Sequence, residues 1–236
     1  MGFVQWALLR DPPSDLVAAV IQCAPHDFSK QLWGTGSFEM EAISWAEHVA
    51  HQEETGFWAF WERWNTAKRI RQVLDAVPLA ESVKKHFNGS APWLEFAVDH
   101  PDTSDSHYEP WKCREALERV NIPIFLAGGW YDLFEPQTME QYRRLSERNE
   151  NVTLLMGPWN HMQMGTDSKF HRESFDWLRE NVSGRKRSVG RAAVEYFVTG
   201  AQEWRKNGAR WKSGRPRQRT KLCTYKQTAI LIARSR

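Results

Sequence analysis

Two short apolar runs near the middle of the chain predict buried β-strands. They cover Ile122–Asp132 and Asn151–Gly157, and both lack the alternation of apolar and polar residues that marks a strand with one face in water. The segment between them, residues 135–148, carries Met139, Tyr142 and Leu145 at helical spacing. The pattern therefore predicts a strand, a helix and a second strand in a parallel sheet.

The rest of the chain continues this α/β pattern. A short helix is predicted over Gly2–Arg10, before Pro12, and a buried strand over Leu16–Ala24. The segment 26–120 is predicted to be mainly helices and loops. A further strand is predicted over Ala193–Gly200. The predicted fold class is therefore α/β.

Aromatic residues are unusually frequent, with 13 tryptophans. Trp33, Trp45 and Trp93 are interpreted as core residues of helices, since aromatic residues at helical spacing mostly pack helix against helix. Trp58 and Trp61 have the same structural interpretation, but the alternative is a wall of a substrate pocket. Later in the chain, an amphipathic helix is predicted over Phe170–Val182; its inward residues should be Phe175, Trp177 and Leu178.

Two residues able to perform acid-base chemistry follow the two central strands. Asp132 ends the first and His161 comes shortly after the second. Ligands of open α/β sheets bind at the carboxyl ends of strands, where a carboxylate can orient a histidine that transfers protons. The structural alternative is an aspartate that caps a turn and a histidine that is merely packed or solvated.

The two segments together are more specific than either residue. Gly-Gly-Trp-Tyr-Asp132 and Gly-Pro-Trp-Asn-His161 resemble the acid and histidine segments of the X-Pro dipeptidyl-peptidase and cocaine esterase-like (CocE/NonD) serine hydrolases. The resemblance implies an α/β-hydrolase with a Ser-Asp-His triad, in which Asp132 orients His161 and His161 is the general base and acid. It also implies hydrolysis of esters or of acyl or X-Pro amide bonds. Candidate substrate-binding residues are Trp130, Tyr131, Trp159, Trp58 and Trp61.

The nucleophile of that family lies in a Gly-x-Ser-Tyr-x-Gly turn. Met1–Trp6 resembles the residues that follow this serine and tyrosine, and no serine or cysteine of the sequence has a glycine two positions before it. We therefore expect the serine just upstream of Met1, a chain truncated at both ends, and no turnover by the chain as given. The alternative is a non-catalytic remnant or binding protein.

The resemblance also implies a division into domains. Residues 1–183 are expected to form the carboxy-terminal half of an α/β-hydrolase domain, with a helical cap inserted over about residues 26–120. Residues 191–204 are expected to be the first strand of a lost jelly-roll domain. The remainder, 205–236, is a basic tail that we expect to lack regular structure.

The tail holds 11 Lys or Arg and no Asp or Glu, although the net charge of the chain is only +3. One alternative is a basic arm that binds nucleic acid; another is a reading frame that departs from the family near Arg205. The predicted partner is a small-molecule ester or amide or a short peptide, with no nucleic acid, no membrane and an unknown oligomeric state.

Several function classes find no support in the sequence. No apolar run approaches the roughly 20 residues needed to span a bilayer, and the first residues do not form a signal peptide. Cys23, Cys113 and Cys223 are widely separated, which favours thiols in a reducing compartment and a cytoplasmic location. The pattern predicts no metal site and no cofactor, since the histidines are scattered and no glycine-rich phosphate loop follows a strand.

Overall fold

A computed structural model describes five stretches of the chain: 2–52, 68–184, 191–207, 221–225 and 228–232. The chain divides into two compact units. Unit 1 combines Met1–His26 with Cys113–Arg236, and unit 2 consists of Asp27–Lys112. Unit 2 is therefore inserted in the chain between the first and second strands of unit 1.

Unit 1 contains the strands and the helices that flank them. Its helices are α1 (Gly2–Leu8), α7 (Arg114–Arg119), α8 (Glu135–Ser146), α9 (His161–Met164) and α10 (Ser168–Val182). Its strands are β1 (Ala19–Gln22), β2 (Ile124–Tyr131), β3 (Val152–Asn160), β4 (Val194–Val198), β5 (Glu203–Asn207), β6 (Lys221–Tyr225) and β7 (Thr228–Ile232).

Five of these strands form one mixed sheet in the order β1-β2-β3-β4-β5. β1 to β4 are parallel to one another, and β5 is antiparallel to β4. β2 and β3 are buried along most of their length, as their continuous apolar runs predict. β1 is shorter than its apolar run, and β3 continues past Gly157 to Asn160. The α/β prediction is confirmed.

β4 occupies a different place from the one that the sequence suggested. The segment 191–204 was expected to begin a separate jelly-roll domain, but Val194 pairs with Leu154 and Tyr196 pairs with Met156 of β3. β4 therefore extends the main sheet of unit 1. The jelly-roll domain itself stays a prediction.

The orientation of α10 corrects one prediction. Trp177 is 3% exposed, as expected, but Phe175 is 61% exposed and Leu178 is 36% exposed. The buried face consists of Phe170, Ser174 and Trp177, which are four and three residues apart. Because each helical residue turns about 100°, Phe175 and Leu178 cannot share that face.

Unit 2 is helical in its described part. It contains α2 (Phe28–Trp33), α3 (Glu41–Ala50), the helical residues 68–74 (α4), α5 (Leu79–Phe87), α6 (Pro92–Ala97) and a 3₁₀ helix (Ser106–Trp111). Trp33 and Trp93 pack against its apolar core as predicted. Trp45 is 60% exposed, so its predicted core role is wrong. A cap function for this unit stays a prediction.

Parts of the basic tail have regular backbone where the sequence analysis expected none. Arg205, Lys206 and Asn207 belong to β5, which pairs with β4. Farther on, β6 and β7 pair with each other as an antiparallel hairpin. In the described part of the chain, none of the helices is long and apolar enough to cross a bilayer.

Candidate active site

The carboxyl ends of β2 and β3 lie side by side at one edge of the sheet. Tyr131, the last residue of β2, pairs with Asn160, the last residue of β3, after a register shift that begins at Gly129. Asp132 and His161 directly follow these two residues. This edge of a parallel sheet is where ligands bind in α/β proteins.

A hydrogen bond joins the two side chains. His161 Nδ1 lies 2.8 Å from Asp132 Oδ2. The Asp132 side chain is 1% exposed, whereas the His161 side chain is 41% exposed. An ionised carboxylate can only accept hydrogen bonds, so Nδ1 carries the proton and Nε2 of the neutral ring keeps a lone pair. The pair is therefore arranged for Nε2 to take a proton from another group.

Local contacts hold both residues in place. The Phe134 backbone N–H donates to Asp132 Oδ1 at 2.7 Å. On the other loop, the Gln163 N–H donates to the Asn160 side chain at 2.9 Å, and the Asn160 N–H donates to Gln163 Oε1 at 3.1 Å. This capping box sets the start of α9, where His161 is the first residue.

Two glycines allow the strand ends to approach each other. A Cβ at Gly129 would collide with the carbonyl oxygen of Trp159, and a Cβ at Gly157 would collide with the Trp159 ring. The glycines that bound the predicted strands are therefore required by the packing around the Asp132–His161 pair.

Asp132 affects the acid-base behaviour of its neighbours. Burial, and secondly the charge of Asp132, raise the pKa of Glu135 above its usual range. Burial and Asp132 likewise raise the pKa of the Cys23 thiol well above its ordinary value. Ionising either group would place a second negative charge beside a carboxylate in a poorly solvated site.

Cys23 is a residue of this site that the sequence analysis did not single out. It directly follows β1, with the left-handed backbone angle φ 42°, and it is 7% exposed. Its Sγ lies 2.9 Å from Met164 Sδ. Donor atoms of Cys23, Asp132 and His161 all lie within 4.8 Å of one another. The position of Cys23 at the carboxyl end of a predicted parallel strand was a signal that could have identified it.

The predicted aromatic residues have different environments. Trp130 donates from Nε1 to the Phe197 carbonyl at 2.7 Å, and Trp159 is 5% exposed and packs against Trp204 at 5.6 Å between ring centroids. Both are therefore engaged in the packing of the sheet. Tyr131 is 65% exposed beside Asp132, so it can contact a ligand. Trp58 and Trp61 lie outside the described residues.

Met162 is a second residue that the sequence analysis did not single out. It directly follows His161 and is 80% exposed. With Tyr131 on the neighbouring strand end, it adds an exposed, largely apolar side chain close to the histidine. Its adjacency to the motif was the only sequence signal for it.

A family model for X-Pro dipeptidyl-peptidase (S15 family) matches residues 1–163, a range that contains both Asp132 and His161. No curated protein matches the chain in a sequence comparison.

Solved structures share the fold at low sequence identity. An aminopeptidase from a marine sediment archaeon of the Thaumarchaeota is 18% identical with a TM-score of 0.65, over 88% of this chain and 37% of that one. An α-amino acid ester hydrolase is 16% identical with a TM-score of 0.64 and the same coverage, 88% and 37%. A CocE/NonD family hydrolase from Staphylococcus aureus is 12% identical with a TM-score of 0.54, over 88% and 32%. The chain thus spans about a third of the length of these proteins.

Proposed function

The chain belongs to the X-Pro dipeptidyl-peptidase (S15) family, and we propose that it supplies the acid and histidine of a serine hydrolase that cleaves esters or acyl or X-Pro amides. The observation that carries the proposal is the 2.8 Å contact between His161 Nδ1 and the buried Asp132 carboxylate, in a pair whose histidine side chain is 41% exposed. An aminopeptidase and an amino acid ester hydrolase share the fold. Amides and esters are therefore both substrates to test.

In the proposed mechanism, His161 Nε2 takes the proton of a serine hydroxyl while the serine oxygen attacks the carbonyl carbon of the substrate. Asp132 stabilises the imidazolium that forms. The imidazolium then gives its proton to the leaving amine or alkoxide, which leaves an acyl-enzyme. Water repeats the sequence, with His161 again acting first as base and then as acid.

The serine itself is proposed to lie just upstream of Met1. The support is the position of α1: a Cβ at Gly2 would collide with the Ala24 side chain and with the Gln22 carbonyl oxygen. The start of α1 therefore packs closely on the carboxyl end of β1, at the same edge of the sheet as Asp132 and His161. A nucleophile just before this helix would lie on the functional edge of the sheet.

Reading the transcript from end to end tests the position of the serine. We expect an in-frame Gly-x-Ser-Tyr immediately before the codon of Met1. A reading frame that begins at Met1 would contradict the proposal for this product.

Fluorophosphonate labelling tests the chemistry. A form of the protein that carries the proposed serine, called here the serine-bearing form, should be labelled stoichiometrically at that serine, and His161→Ala should block labelling. The 236-residue chain should not be labelled. Rapid labelling of the 236-residue chain would show that the nucleophile lies within it, and peptide mapping would identify the residue.

A non-catalytic binding function is the second candidate. It is favoured by the sequence, in which no serine or cysteine follows a glycine by two positions, and by the exposed side chains of Tyr131 and Met162 beside the pair. This alternative requires the 236-residue chain to unfold cooperatively and to bind a substrate analogue without turning it over. A chain without a cooperative transition would exclude it.

A further inference from the structure

The Cys23, Asp132 and His161 side chains combine three kinds of metal-binding donor in one place. Their ligand atoms, one thiol sulfur, one carboxylate oxygen and one ring nitrogen, all lie within 4.8 Å of one another. The three residues follow the ends of β1, β2 and β3, so their spacing in the sequence does not predict the cluster. Thiolate, imidazole and carboxylate are the three side-chain ligands of zinc in proteins.

A further contact favours a soft cation over a hard one. The thioether of Met164, which is fully buried, lies 2.9 Å from Cys23 Sγ. Sulfur donors select cations such as Zn²⁺, whereas Mg²⁺ and Ca²⁺ prefer oxygen ligands alone.

The charges and access are also suitable. A Cys23 thiolate and the Asp132 carboxylate together carry two negative charges, which a divalent cation neutralises in a site that water reaches poorly. Asp132 and Cys23 are buried, but the His161 side chain is 41% exposed and provides a route from solvent.

We propose that Cys23, Asp132 and His161 form a binding site for a thiophilic divalent cation such as Zn²⁺. Binding releases the thiol proton to solvent and shifts the ring proton of His161 from Nδ1 to Nε2, so that the Cys23 sulfur, a carboxylate oxygen of Asp132 and His161 Nδ1 become ligands. The same two residues then cannot act as a proton-transfer pair. This regulatory consequence rests on the proposed hydrolase function, whereas the metal site itself does not.

Titration of the 236-residue chain with Co²⁺ is the first test, because thiolate coordination to Co²⁺ produces a charge-transfer absorption band. We expect one Co²⁺ per chain with such a band, displacement by Zn²⁺, and no displacement by Mg²⁺. Cys23→Ala should remove the band and weaken binding by more than about tenfold, since even outer-shell residues contribute that much. Cys113→Ala, at another buried cysteine, should leave both unchanged.

Chemical protection of His161 is a second test that requires no variant. Zn²⁺ should slow carbethoxylation of His161 by diethylpyrocarbonate, measured by peptide mapping, but not that of the exposed His107. Co²⁺ binding that survives Cys23→Ala, or equal reaction of His161 with and without Zn²⁺, would overturn the proposed site. Metal binding by a serine-bearing form that, once freed of metal with a chelator, hydrolyses neither ester nor amide would refute the proposed function and leave the metal site standing.

Discussion

A close histidine–carboxylate pair occurs in each compact unit, and the two pairs have nearly the same local geometry. In unit 1, His161 Nδ1 lies 2.8 Å from Asp132, whose side chain is 1% exposed. In unit 2, His86 Nε2 lies 2.8 Å from Glu47, whose side chain is 2% exposed. Hydrogen-bond length and burial of the carboxylate therefore do not distinguish them.

Charge balance and location do distinguish the pairs. Glu47 also accepts a hydrogen bond from Arg69 at 3.1 Å, so its charge is balanced without the histidine. Among the described residues, His161 is the one side chain that forms an ion-pair contact with Asp132. Glu47 and His86 lie on helices, whereas Asp132 and His161 follow adjacent parallel strands. We therefore expect the unit 2 pair to contribute to stability and the unit 1 pair to serve the proton transfer proposed above.

Replacement of the histidine should give the largest difference between the two pairs, measured as kcat. In the serine-bearing form, His161→Ala should lower kcat by about 10⁴-fold or more, because it removes the base that activates the nucleophile. His86→Ala, in the unit 2 pair, should leave kcat unchanged. The measurement is steady-state hydrolysis of an ester substrate; equal losses in the two variants would contradict the assignment.

Changing the length of each carboxylate side chain by one methylene should have a smaller effect on kcat. The effect should still differ between the two pairs. Asp132→Glu keeps the charge but moves it by one methylene, so kcat should fall by about 10²-fold through misplacement of His161. Glu47→Asp makes the reverse change in unit 2 and should not alter kcat. If Asp132→Glu retained full activity, the orientation of His161 by Asp132 would be in doubt.

Loss of the Glu47 carboxylate should affect stability. Glu47→Ala leaves Arg69 and His86 without their anion and should lower the free energy of unfolding by about 2 kcal/mol, since Arg69 is partly solvated. Glu41→Ala is the matched control, because Glu41 is an exposed acidic residue in the first turn of the same helix. Urea denaturation of the 236-residue chain measures both. Equal losses of stability in Glu47→Ala and Glu41→Ala would show that the effect does not come from the unit 2 pair.

Glu135 should produce the smallest effect, seen as a pH dependence. Its raised pKa means that the folded state binds the proton more tightly than the unfolded state. Stability is therefore favoured below the ordinary glutamate pKa, about 4.3, and is lost as pH rises through the folded value. Glu135→Gln should escape this loss, so its stability relative to wild type should increase with pH. A constant difference across pH would contradict this prediction.

Local sequence patterns predicted much of the fold and of the site. The apolar runs identified β2 and β3, and the two strand-end motifs identified Asp132 and His161, which the structure brings within hydrogen-bonding distance. These features could be predicted because a continuous apolar run and a short motif are properties of neighbouring residues.

Other features depended on contacts that neighbouring residues do not encode. The sequence marked a strand near Ala193, but only the fold pairs β4 with β3 in the main sheet. The exposure of Phe175 and Trp45 depends on which side of a helix another element covers. From the sequence, Cys23 could be interpreted only as a buried thiol. In the structure, the parallel pairing of β1 with β2 places it beside Asp132.

The sequence by itself thus determined the α/β class, the family and the acid–histidine pair, because periodicity and motif composition act over a few residues. Only the tertiary structure decided the order of the strands and which face of each helix is buried. It also placed Cys23 beside Asp132 and His161 at the strand ends. Those depend on hydrogen bonds and packing between segments far apart in the chain, and many pairings satisfy the same local pattern.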